Sequence, residues 1–107
     1  MGTIKTGQTK VDVDSIFGIT DSGQQVLDAD RNRRSLSIQN VGNTKVYVRF
    51  GANPVTSGQK LFSYILASSS GTEEGDGGVL SVDNFGGKVY VKTASGTSTV
   101  IATSFVG

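Results

Sequence analysis

Cysteine, histidine and tryptophan are all missing from this 107-residue chain, and proline and methionine occur once each. Without cysteine there is no disulfide framework, no thiolate nucleophile and no cysteine-ligated zinc, and nothing marks a redox compartment. Without histidine, Ser-His-Asp and Cys-His catalysis, imidazole acid–base chemistry and the commonest transition-metal ligands are excluded. Only carboxylates, lysines and tyrosines are left to do chemistry, so neither an enzyme nor a cofactor is expected.

A dominant charge is missing as well. Ten Lys and Arg against nine Asp and Glu leave a formal charge of +1, so no long-range field gathers phosphate backbones, and nucleic acid is not an expected partner. The opening MGTIKTGQTKVDVDSIFGITDSG has no apolar run behind a basic head. No later stretch approaches the roughly 18 apolar residues of a membrane-spanning helix, so neither a leader nor a membrane partner is expected. Walker, GxGxxG, GxSxG and HExxH patterns do not occur.

Amphipathic helical spacing is the last absence, and β-branched residues in short runs take its place. Runs ended by Gly, Asn, Ser or Asp predict strands at residues 24–28, 34–40, 44–50, 61–66, 79–82, 88–94 and 98–105, with a further strand at 10–14. The expectation is a single all-β domain over residues 24–107: an antiparallel β-sandwich of seven or eight strands, jelly-roll or immunoglobulin-like. Residues 1–23 carry too few apolar positions for a core of their own and read as an extended N-terminal arm. Ser, Gly and acidic residues between positions 67 and 78 form a polar loop of about a dozen residues, a candidate contact loop.

One phrase is written twice. Ser37-Ile38-Gln39-Asn40 and Ser81-Val82-Asp83-Asn84 each run into an Asn- and Gly-containing turn and then into Lys-Val-Tyr-Val and a cation. Turn chemistry of this kind predicts two similar β-hairpins. Period two sends Val46, Val48, Val89 and Val91 inward and leaves Lys45, Tyr47 and Arg49, with Lys88, Tyr90 and Lys92, outward. Those outward rows are either ordinary strand surface or a candidate interface, with protein favoured over nucleic acid or glycan as its partner.

Other constellations are weaker. Asp28-Ala29-Asp30-Arg31-Asn32 opens like a calcium loop, but Arg33 stands where glycine is needed and Gln39 where a bidentate glutamate is needed. Glu73, Glu74 and Asp76 read as solvated loop acids. Arg31, Arg33 and Arg34 form one dense basic group, either a solvated turn or a site for carboxylates on a neighbouring subunit. The run Leu61-Phe62-Ser63-Tyr64-Ile65-Leu66 is apolar on both faces, with Phe62, Tyr64 and Leu66 on one and Leu61 and Ile65 on the other. The N-terminal arm or another subunit is expected to cover the second face.

The residues Arg33-Arg34-Ser35-Leu36-Ser37-Ile38-Gln39-Asn40-Val41-Gly42, then Val46-Tyr47-Val48-Arg49-Phe50-Gly51, and later Asn84-Phe85-Gly86-Gly87-Lys88-Val89-Tyr90-Val91, resemble small β-sandwich virion proteins of tailed bacteriophages. These are head decoration, cement or head-fibre proteins, and the resemblance spans roughly residues 31–106. It implies a structural role on the outer surface of a phage capsid, with the major capsid protein as partner and self-association as a dimer or trimer. The arm is outside the resemblance and would suit a strand lent to a neighbour. The other reading carried forward is a receptor- or glycan-binding module of a head fibre or tail, which the absence of tryptophan disfavours.

Overall fold

The structure, a computed structural model, describes residues 10–55, 61–71 and 73–106, with side chains from Ser15 onward. Among them the chain forms eight strands and no helix: β1 (Lys10–Ile19), β2 (Gln24–Leu27), β3 (Arg33–Asn40), β4 (Val46–Phe50), β5 (Tyr64–Leu66), β6 (Val79–Asp83), β7 (Val89–Thr93) and β8 (Ser98–Val106). Four strands in the order β1-β8-β3-β6 make a first sheet, and four in the order β2-β7-β4-β5 make a second. Every pairing is antiparallel.

The order has a simple logic. β4 pairs with β5, β3 with β6, β2 with β7 and β1 with β8, so the chain is one long antiparallel ribbon doubled back on itself. Rolling that ribbon drops its successive pairs alternately onto the two sheets, and β3·β8 and β4·β7 contacts close each sheet. The result is the eight-stranded jelly roll, a β-sandwich of two Greek keys.

Alternation decides what goes inside. Leu36 and Ile38 on β3, Val46 and Val48 on β4, Leu80 on β6, Val89 and Val91 on β7, and Val100 and Ala102 on β8 all belong to one buried cluster. A fully buried Val, Leu or Ile of this kind stabilises the fold by about 2 kcal/mol. Val82, Phe50 and Phe85 pack against the cluster from its margins.

Two expectations need correction. The arm predicted over residues 1–23 is at most a short one, because Lys10–Ile19 is a ten-residue strand on the edge of the first sheet. Ile19 is fully buried and Phe17 packs on the core. An edge strand needs only every second residue to be apolar, which is why this stretch looked sparse; residues 1–9 lie outside the described residues.

The repeated phrase, secondly, does not make hairpins. β3 lies in the first sheet and β4 in the second, and β6 and β7 are divided in the same way. Each copy is an arch that crosses the sandwich, and the copies pair with each other. Ser37 stands opposite Ser81 and Val48 opposite Val91, which puts equivalent residues together on a local twofold axis. Among the described strands, the consecutive pair that forms a hairpin is β4–β5.

Candidate binding face

Because β4 and β7 are neighbours, the two Lys-Tyr-cation rows lie side by side on the outer face of the second sheet. The register sets Tyr47 opposite Lys92 and Arg49 opposite Tyr90. These two pairs exchange places under the local twofold. Lys45 and Lys88 are exposed just ahead of β4 and β7, hence at opposite ends of the face. β2, β4, β5 and β7 contain no Asp or Glu, so the strands of this face carry cations and aromatic rings without a carboxylate among them; at the margin Asp28, just beyond β2, accepts from Gln25 Nε2.

The pairs differ in their surroundings. Tyr47 faces Ile65 across β5, and the Phe62 ring lies against it with centroids 4.9 Å apart and planes tilted by 55°. Tyr90 faces Gln25 on β2 instead. The Arg49 guanidinium donates to the Asn53 carbonyl at 3.3 Å, which holds its planar head near the rim. Tyr47, Arg49, Tyr90 and Lys92 are all half-buried, as expected when rings and long aliphatic stems lean on one another.

Phe62 and Gln25 were not among the candidate interface residues read from the sequence. Alternation assigned Phe62 to the same face as Tyr64, but β5 begins only at Tyr64 and a bend at Ser63 breaks the period. Tyr64 instead contacts Phe50, edge to face at 5.7 Å, and Phe50 contacts Phe85 at 4.8 Å. Leu61 belongs to an isolated bridge with Val55 ahead of the strand. Ile65 is 50% exposed and Leu61 42%. β1 lies in the other sheet, so its described residues do not cover Ile65.

The basic group is divided. Arg31 and Arg34 are exposed, whereas Arg33 is 6% exposed. Arg33 donates from Nε to Ser104 Oγ at 2.9 Å, from Nη1 to the Phe85 and Gly87 carbonyls at 3.3 and 2.9 Å, and from Nη2 to the Asp28 carbonyl. It ties the second arch to the first sheet and is corrected from interface candidate to structural side chain. A register shift between Arg33 and Ser35 turns Arg33 inward and Arg34 outward. Beside Arg33 an open pocket of about 420 Å³ is lined by residues that include Phe17, Leu27, Asp30 and Ser104.

The segment that resembled a calcium loop is a hydrogen-bonded turn. Asp30 Oδ1 accepts from the Asn32 amide at 2.9 Å, and the Asp30 carbonyl accepts from the Arg33 amide at 3.1 Å. In the polar loop, Glu73, Glu74 and Asp76 are exposed. Asp76 is nonetheless engaged, accepting from Ser70 Oγ at 2.6 Å, Ser69 Oγ at 2.7 Å and the Ser70 amide at 3.0 Å. Those donors hold its carboxyl well below the usual range, at about 2.

No protein-family model and no curated protein matches this chain. Its fold is similar to that of a chain in the solved structure of Bacillus endospore appendages, described as a novel family of disulfide-linked pili. The TM-score is 0.52 at 12% identity, over 98% of this chain and 94% of that one. At that identity the likeness is one of fold.

Proposed function

We propose that this chain is a structural virion protein, a decoration or cement protein that binds the outer surface of a bacteriophage head and bridges capsid subunits. The observation that carries the reading is the outer face of the second sheet, where Lys45, Tyr47 and Arg49 lie beside Lys88, Tyr90 and Lys92 with no carboxylate on the four strands. Such a face suits an acidic protein surface: the cations steer the approach, and the tyrosines and Ile65 supply contact area once water is excluded. Each contact is weak, and many copies joining neighbouring capsid subunits add up to a stable shell. Jelly rolls serve viral capsids, lectins and cupins alike, so the face carries the proposal and the fold does not.

The test is the number of copies of this protein per major capsid protein in purified virions, by quantitative mass spectrometry. One copy per one or a few capsid subunits is expected. A handful per particle would move it to a fibre or tail, and absence would overturn the virion reading. Binding to isolated shells should fall with added salt and with Tyr90→Ala combined with Lys92→Glu.

A second reading, a subunit of a self-assembled appendage, is favoured by the likeness to the endospore pili across 98% of the chain. With no cysteine in the 107 residues, any such assembly of this chain would be held without disulfides. Filaments formed by the purified protein alone, seen by negative-stain electron microscopy, would select this reading.

A further inference from the structure

The outer face of the first sheet has a different chemistry from the cationic one. Ile16, Ile101, Gln39 and Val79 stand in one row across its four strands. The residues at the two ends of that row are strongly exposed, Ile16 by 62% and Val79 by 60%. The next row in the register is Asp14, Thr103, Ser37 and Ser81. Lys and Glu are absent from this face among the residues whose side chains are described, and charged positions come only at its rim. Arg34 and Asp83 are at one end, and Asp14 is on the outermost strand.

A solvated sheet face ordinarily carries charges in its middle and on its edge strands. Small hydroxyls and β-branched residues in the middle, with exposed aliphatics on both edges, are what a sheet-on-sheet contact requires. We propose that this face is where two copies of the chain associate, sheet against sheet.

A second copy fits better than any other occupant for two reasons. The centre of the face is uncharged, so it does not repel itself, whereas the second sheet's four cations, Lys45, Arg49, Lys88 and Lys92, forbid self-stacking there. The size is also sufficient. Four strands at about 4.8 Å spacing and about seven residues at about 3.3 Å give roughly 450 Å² per copy. Edge side chains then bring the total to about 1,000 Å², the lower bound for a specific interface. A twofold axis parallel to the strands, between β8 and β3, sets Ile16 over Val79 of the partner subunit and makes the contact self-complementary. The cationic faces are then left pointing outward on opposite sides of the dimer. This inference does not depend on what those faces bind.

Sedimentation velocity of the full chain from micromolar to millimolar concentration tests it. A monomer–dimer equilibrium is expected, with Ile101→Lys raising the dissociation constant at least about tenfold and Lys92→Glu leaving it unchanged. A monomer at all concentrations would overturn the proposal, and so would a dimer weakened by Lys92→Glu and indifferent to Ile101→Lys. If Ile101→Lys fails to fold, the unsubstituted chain still decides. On dilution, amide signals of β3 and β8 should shift while those of β4 and β7 stay in place, and the reverse pattern would put the contact on the other sheet.

Discussion

The two arches start from the same phrase and cross the sandwich the same way, yet their asparagines do opposite things. Asn40 is fully buried. Its side-chain amide donates to the carbonyls of Thr44, Leu66 and Ala67 at 2.8, 3.3 and 3.1 Å. Its oxygen accepts from the Gly42 amide and Ser98 Oγ at 3.1 and 2.8 Å. Asn84 is exposed and turns the chain through a left-handed conformation, with φ of 65°. The Phe85 and Gly87 carbonyls of that arch are satisfied from outside by Arg33, and the Gly86 carbonyl between them by the Asp30 amide. Buried backbone carbonyls must find donors, and here a repeated sequence finds them in two ways, a carboxamide within the arch or a guanidinium brought to it from β3.

The sharpest way to break this comparison is Asn40→Ala. It takes the Asn40 donor from the Thr44, Leu66 and Ala67 carbonyls, of which Ala67 keeps the Gly78 amide, and the acceptor from the buried Ser98 hydroxyl, and a loss of about 3 kcal/mol is expected by urea unfolding. Arg33→Met should cost less, about 2 kcal/mol, because the three carbonyl contacts it gives up are all part-buried. A larger loss at Arg33 than at Asn40 would reverse the ranking of the two arches.

Smaller effects refine it. Asn84→Ala should lose about 1 kcal/mol through left-handed strain, whereas Asn84→Gly should change stability by less than about 0.5 kcal/mol. Acid reaches the first arch through the loop that Asp76 orders, in which the Ser69 amide donates to the Gly42 carbonyl at 2.7 Å. The Asp76 carboxyl is lowered from 3.8 to about 2, chiefly by the Ser70 and Ser69 hydroxyls. Its contribution is therefore complete above the unfolded value and lost as pH falls toward the folded one. Amide signals of Ser70 and Gly71 should move in that window while those of Phe85 and Gly87 stay fixed, and Asp76→Asn should remove the transition.

Period-two alternation made the strands readable, since Val46, Val48, Val89 and Val91 point where their spacing puts them. The partnering of strands was not readable. Asn and Gly announce that a chain reverses, but the same local chemistry serves a hairpin within a sheet and an arch between sheets. Which of the two a turn becomes is decided by the strands left to pair, a property of the whole ribbon. Arg33 was hidden for a related reason: it reads as one of three arginines in a turn, and only the bulge between Arg33 and Ser35 turns it inward. The cationic face was legible because each row is local, while the juxtaposition of Tyr47 with Lys92 and of Arg49 with Tyr90 depends on the long-range β4·β7 pairing.

The position of β8 has a consequence for how the protein comes into being. This strand is inserted between β1 and β3 and completes the first sheet. While a ribosome is still adding residues 98–106, β1 has no partner to bond to and one side of the sandwich stands open. Only the β4–β5 hairpin closes over a short span; every other pairing must wait for distant segments to meet, a slow class of folding event. Removing β8 would take out the middle of a sheet and leave β1 and β3 without the strand that joins them.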